Sequence, residues 1–86
     1  MKLNEERAES PKVERYIRVK TENKEPLLGV SIIEKGTHNG TISDLEGYAR
    51  LSVASGAILV FSFVGYCTQE IKVGSNRTID VVMKEC

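Results

Sequence analysis

The side chains able to do chemistry are few: one histidine, His38, two cysteines, Cys67 and Cys86, and carboxylates such as Asp44 and Glu46. A metal centre needs several His, Cys or carboxylate ligands brought together, and neither Cys-x-x-Cys nor His-x-x-x-His spacing occurs. Nucleophilic catalysis needs a Ser or Cys beside a base and an orienting group. His38, Cys67 and Asp44 supply the residue types, but nothing in their spacing makes them converge, and His38 reads as a solvated loop residue. A Cys67–Cys86 bond is open to the chain. Two cysteines do not make the dense framework of a small secreted scaffold, however, so the expectation is two free thiols. Cys67 is then a strand residue and Cys86 part of a mobile tail.

The remaining motifs are weaker. Asp44-Leu45-Glu46-Gly47 lacks the first acidic ligand and the distal glutamate of a calcium loop. It reads as a β-turn, capped by the Asp44 side chain and with Gly47 in the left-handed region. Gly36 and Gly40 are not followed by the Gly-Lys-Ser/Thr of a phosphate loop. Asn39-Gly40-Thr41 and Asn76-Arg77-Thr78 match the glycosylation sequon, and both asparagines are more simply turn residues. Tyr16, Tyr48, Phe61, Phe63 and Tyr66 show no stacking pattern with interleaved arginines. No catalytic, cofactor-binding or metal-ligating residue is therefore nominated, and no cofactor is expected.

What must position these residues is a small β domain. The chain has 86 residues, the size at which one core just suffices for independent folding. Twelve basic and twelve acidic residues cancel, leaving no field to draw in nucleic acid or an anionic membrane. The longest apolar stretch, Ala57 to Val64, is far too short for a spanning helix. The start, MKLNEERAESPK, has no apolar core of a signal peptide, which suggests either a cytosolic protein or a piece of a longer one.

Glycines at 29, 36, 40, 47, 56, 65 and 74 punctuate short segments rich in β-branched and aromatic residues. Period-two alternation puts Val13, Ile17 and Val19 on one face of VERYIRVK, with Arg15 a surface or end residue of the same parity. GVSIIEK, YARLSV, AILVFSF, CTQEIKV and RTIDVVMK follow, with a short seventh strand at Gly40 to Ser43. In AILVFSF both faces are apolar, so that strand is expected to be central or covered on both sides. Asn23 and Pro26 are expected to supply the turn after the first strand. Gly65 and Tyr66 are expected to form a hairpin corner, with Gly65 at positive φ. Residues 1–12 read as a flexible lead-in, 13–84 as the domain and 85–86 as a tail.

The ordered set Pro26-Leu27, Gly29-Val30, Lys35-Gly36-Thr37, Gly40-Thr41, Asp44, Gly47, Leu51, Val53, Phe61-Ser62, Gly65-Tyr66 and Gln69 resembles the carboxypeptidase-regulatory-like domain. The match covers roughly residues 13 to 84. Three departures are visible: no glycine in YIRVKTENKE, Ala49 where a bulky aromatic is typical, and Cys67 where a polar residue is usual.

The resemblance implies an all-β, seven-stranded, transthyretin-like (prealbumin/Ig-like) β-sandwich without catalytic residues. It also implies a place at the N-terminus of SusC-like TonB-dependent outer-membrane receptors, which import glycans and other nutrients in Gram-negative bacteria. The expected role is a non-catalytic accessory domain on the periplasmic face of the outer membrane. Its partners would be other domains of the parent receptor or periplasmic proteins. The alternative is a glycan- or peptide-binding module of another envelope protein, with Tyr16 and Tyr48 as sugar-stacking candidates or an edge strand receiving a peptide.

Overall fold

The computed structural model describes residues 11–86, so most of the lead-in expected over 1–12 lies outside the described residues. Seven strands follow: β1 (Val13–Thr21), β2 (Ser31–Glu34), β3 (Gly40–Ile42), β4 (Tyr48–Val53), β5 (Ile58–Ser62), β6 (Gln69–Lys72) and β7 (Thr78–Met83). There is no helix among the described residues. One sheet has the order β4-β1-β7 and the other β3-β2-β5-β6. β1 runs antiparallel to β4 and parallel to β7, so the first and last strands of the domain are bonded side by side.

The two sheets enclose one core. Ile17, Val19, Ala49, Leu51, Val53, Val81 and Met83 come from the three-stranded sheet or its ends; Val30, Ile32, Leu59, Phe61 and Val73 come from the other. Period two selects this set, because each inward residue is followed by an outward one. Burying each of the larger aliphatic or aromatic side chains contributes roughly 1.5–3 kcal/mol. Ile71, Ile79 and Phe63 pack against the core while half-buried. β5 is an interior strand of its sheet, as its composition suggested.

Several turns differ from the expectation. β1 runs unbroken for nine residues, and its turn is closed by Thr21 and Lys24 rather than by Asn23 and Pro26. Thr21 Oγ1 accepts from the amides of Asn23 and Glu25, and Lys24 sits at φ 68. Pro26 instead pairs across to Lys20 in a single bridge. The Gly65 corner is wider than a hairpin, since β5 ends at Ser62 and β6 starts at Gln69. The Tyr66 amide donates to the Phe63 carbonyl at 3.0 Å, and Gly65 takes φ 88, as its position in that turn requires. Tyr66 then bridges to Glu85, beyond β7, and not to a returning strand.

Cys67 and Cys86 form a disulfide, with Cα atoms 4.9 Å apart. The expectation of two free thiols is thus corrected, and so is that of a mobile tail. The cause is local pairing: the Cys67 amide donates to the Lys84 carbonyl at 2.8 Å and the Cys86 amide to the Gly65 carbonyl at 3.2 Å. Those bonds lay the last residues along the β5–β6 connection and bring the sulfurs together.

Arg15 is the second correction. It has the inward parity of β1 and is only 2% exposed. Its Nε donates to the Val53 carbonyl (3.3 Å), one terminal nitrogen to the Asn76 carbonyl (2.8 Å) and the other to Ser55 Oγ (3.3 Å). Ser43, also buried, accepts from the Val30 amide at 2.9 Å and donates to the Leu27 carbonyl at 2.7 Å.

Two stability predictions follow from the turns and the crosslink. Gly47 has φ 80, and a Cβ there would fall inside contact distance of the Val19 carbonyl oxygen, which is backbone and cannot swing away. Gly65 has a similar φ but open space around it. Gly65→Ala should cost about 1 kcal/mol, from the dihedral alone. Gly47→Ala should cost that plus about 1–3 kcal/mol of overpacking. Urea unfolding of both variants checks the order, and equal losses would contradict it. The disulfide closes a loop that carries strands of both sheets, so Cys86→Ser should destabilise the domain by about 2–4 kcal/mol. A denaturation midpoint unchanged by that substitution and by added reductant would show that the crosslink contributes nothing.

Candidate functional site

The residues first considered for chemistry are not assembled. His38 is exposed in the β2–β3 turn and Asp44 lies in the β3–β4 turn, at the other end of β3. Cys67 is tied to Cys86 and has no thiolate to offer. Asp44 Oδ1 accepts from the amides of Glu46 and Tyr48, both at 2.9 Å, and Gly47 closes the turn at positive φ, as that stretch of sequence indicated. Around Gly36, the Thr37 amide is used by the Glu34 carbonyl and the Asn39 amide by Thr37 Oγ1, so these donors serve the turn. Asn39 Nδ2 is bound by Glu34 Oε1 (3.1 Å) and the Ser52 carbonyl (2.9 Å). Asn76 keeps an exposed side chain, and its carbonyl receives Arg15. Among the described residues no group of three His, Cys, Asp or Glu side chains could share a metal ion.

What the fold does assemble is two outer sheet faces of different character. On the three-stranded sheet, the register sets Tyr16 opposite Arg50 and Arg18 opposite Tyr48. The four side chains alternate as a two-by-two block of ring and guanidinium. The Arg18 guanidinium lies over the Tyr48 ring, 5.5 Å from its centroid. Tyr16, Asp44, Tyr48, Ala49 and Arg50 border a shallow recess of about 200 Å³. Each of β1 and β4 carries a tyrosine and an arginine two residues apart, but the two strands lie about thirty residues apart along the chain, so the alternating block forms only when they pair. The signal was in the parity of YIR and YAR; using it needed the β1–β4 register.

The four-stranded sheet is the opposite case. Its outer positions are Ser31 and Ile33 on β2, Gly40 and Ile42 on β3, Ile58, Val60 and Ser62 on β5, and Glu70 and Lys72 on β6. The middle of that face is uncharged. Charge returns only at the β6 margin, where Lys35 Nζ pairs with Glu70 at 3.1 Å. An open groove of about 500 Å³ runs between Gly29, Ser31, Ser62, Phe63 and Val64. The strand AILVFSF, read from sequence as central or covered on both sides, is central in its sheet, and its outer residues Ile58 and Val60 are half-buried.

Comparison with known proteins accords with this picture. A family model described as the CarboxypepD_reg-like domain matches residues 18–85. A TonB-dependent receptor of Formosa agariphila is 51% identical over 59 residues, which is 67% of this chain and 6% of the receptor. The TonB-dependent receptor SusC of Bacteroides thetaiotaomicron is 40% identical over 67 residues, 78% of this chain and again 6% of the receptor. The chain thus spans about one-sixteenth of the length of these relatives. A chain of a type II cohesin–X-dockerin complex from Acetivibrio cellulolyticus superposes with a TM-score of 0.58 at 21% identity, over 86% of this chain and 57% of that one, which shows likeness of fold alone. With the matched turn glycines, the two-sheet β architecture and the family model in agreement over most of its length, the chain belongs to the carboxypeptidase-regulatory-like domain family.

Proposed function

We propose that this domain is a non-catalytic accessory module at the N-terminus of a TonB-dependent outer-membrane receptor, exposed to the periplasm and coupled to uptake of a glycan or similar nutrient. The observation that carries the reading is the match of residues 18–85 to the family, with receptors of this type as relatives of which the match is a small part. The fold assigned under this reading is the transthyretin-like variety of sandwich, spanning residues 13–84. Its partners are other domains of the receptor or periplasmic proteins. The Cys67–Cys86 disulfide supports the compartment, because such bonds persist where the surroundings are oxidising. Among the described residues His38 and Asp44 stand at opposite ends of β3 and Cys67 is tied to Cys86, so the groups considered for chemistry are held apart.

A second reading, a glycan-binding module, is favoured by one feature: Tyr16 and Tyr48 flank a common recess beside Arg50 and Asp44. Aromatic faces stack on sugars, and Arg and Asp side chains bond hydroxyl groups.

Two experiments separate these readings. Deleting residues 13–84 from the parent receptor should leave an inserted barrel and slow growth on the imported nutrient; unchanged growth would exclude the coupling role. For the second reading, titrating neutral oligosaccharides into the isolated domain should shift the amide resonances of β1 and β4. Those shifts should disappear in a Tyr16→Ala/Tyr48→Ala variant, and an unperturbed spectrum at millimolar sugar would remove the reading.

A further inference from the structure

We infer that the domain is a load-bearing link, built so that tension applied along the chain through its two ends is carried in shear by β1 and its neighbours. This property goes beyond the receptor reading and does not rest on it. Its ground is the parallel pairing of the first and last strands. Tyr16 faces Thr78 at one end of that ladder and Thr21 faces Met83 at the other. The chain therefore enters β1 at one end of the sheet and leaves β7 at the opposite end. Were the two strands antiparallel, entry and exit would share one end, and tension would open the ladder one bond at a time. Here tension acts along the strands, so the bonds share the load and must give together. Each bond is modest alone, and the sharing makes the set strong.

β1 is gripped on its other edge as well. It is the central strand of its sheet, and Val13–Arg18 pair antiparallel with Tyr48–Val53. Drawing β1 out along its axis must break both ladders. A slip of one residue would turn Ile17 and Val19 outward and carry Tyr16 and Arg18 into the core, so the strand cannot creep by single steps. A slip of two residues toward the N-terminal end would put Ile17 where Arg15 now sits. The Val53 and Asn76 carbonyls and Ser55 Oγ would then lose their donor. Polar groups left unpaired in a buried setting cost free energy, so Arg15 acts as a stop on that movement.

The exit is reinforced in the same sense. Cys86 is crosslinked to Cys67, the Cys67 amide donates to the Lys84 carbonyl, and the Cys86 amide donates to the Gly65 carbonyl. Load arriving at residue 86 enters β7 through the main chain and the β5–β6 connection through the disulfide. Neither can be stripped first, and both sheets are drawn on at once. The crosslink also closes residues 67–86 into a loop that cannot extend even after the sheets have parted. The match covers 6% of the receptors it resembles, so in those proteins the domain sits within a much longer chain, where a link that holds under tension has something to join.

The test is single-molecule force spectroscopy on the full 86-residue chain, reading the lifetime of the folded state under a constant load. Forced unfolding reports the barrier to unfolding rather than equilibrium stability. In the first geometry the handles are joined before Met1 and after Cys86. In the second, the C-terminal handle moves to an azide-bearing residue in place of Arg77, whose side chain is exposed, so that the load opens the ladder from the Tyr16–Thr78 end. The fold is the same in both, which an unchanged urea midpoint checks; a handle at exposed Ser75 repeats the measurement should the first position fail that check. The expected lifetime is roughly tenfold or more longer in the first geometry, because shared bonds must break together. Cys86→Ser should shorten that lifetime, yet leave it longer than in the second geometry. It should also lengthen the released contour by about 60 Å, since the 19-residue separation of the crosslinked cysteines becomes free to extend. Equal lifetimes in the two geometries, or a longer one in the second, overturn the inference. So does a Cys86→Ser lifetime as short as that of the second geometry, since the disulfide and not the ladder would then carry the load.

Discussion

Two sheets that share no ladder of hydrogen bonds must be joined by side chains, and in this domain everything else depends on how that is done. Among the described residues twelve buried hydrophobic side chains hold the faces together, but apolar contact is non-directional and leaves the ends and rims of the sandwich open. Polar latches close them. At one end the buried Arg15 guanidinium ties β1 to the end of β4, to the β4–β5 turn through Ser55 and to the β6–β7 loop through Asn76. Its acceptors are two carbonyls and a hydroxyl, none of them charged. Burying a cation is costly unless it is well hydrogen-bonded, so removing any one acceptor removes part of what makes the arrangement tolerable. Ser55 in turn donates to the Gly74 carbonyl, which extends the latch across both loops. Elsewhere Ser43 joins the segment before β2 to the end of β3, and the disulfide joins the β5–β6 connection to the chain beyond β7.

The division between core and latches explains which features were legible in the sequence. Strand positions and inward sets followed from alternation, and YARLSV and RTIDVVMK needed nothing more. The Asp44–Gly47 turn was also readable, because its chemistry is local: an Asx cap followed by a glycine three residues on. Arg15 was not readable as buried. Its parity was correct, but the acceptors that permit burial lie 38, 40 and 61 residues away along the chain. Cys67 and Cys86 were hidden for a related reason. The spacing of 19 residues carries no geometry until the Tyr66–Glu85 bridge is known. The Tyr16–Tyr48 arrangement likewise required a register between strands that no local pattern specifies.

Glycine makes the same point from the other side. Gly65 draws notice in the sequence because an apolar run breaks there, and its φ is indeed positive. Gly47 is under the tighter constraint, since its carbonyl accepts the Val19 amide at 2.7 Å and its Cα lies directly against β1. Dihedral need can be inferred from turn chemistry, whereas close approach of two backbones depends on tertiary packing. The turn that carries Asp44 is therefore more than a connection. It seats the start of β4 on the central strand and so sets the register that brings Tyr48 beneath Arg18.

The rims also bear on how the domain can meet a partner. Exposed edge strands ordinarily invite strand addition. On β4 the Tyr48 amide and carbonyl are taken up by Asp44, and the Ser52 carbonyl by Asn39. On β7 the Val82 carbonyl receives Gln69 Nε2 at 2.6 Å, and just beyond it the Lys84 carbonyl receives the Cys67 amide. Both edges of the three-stranded sheet are thus partly satisfied from the opposite sheet, and an incoming peptide would have to displace those bonds. The remaining edges are short, three residues in β3 and four in β6, and β6 carries the charged Glu70 and Lys72, so neither templates much pairing. Recognition by an edge is disfavoured on these grounds, and the burden passes to the faces. There the two sheets offer unlike chemistry: a tyrosine–arginine block on one side, and an uncharged aliphatic surface on the other.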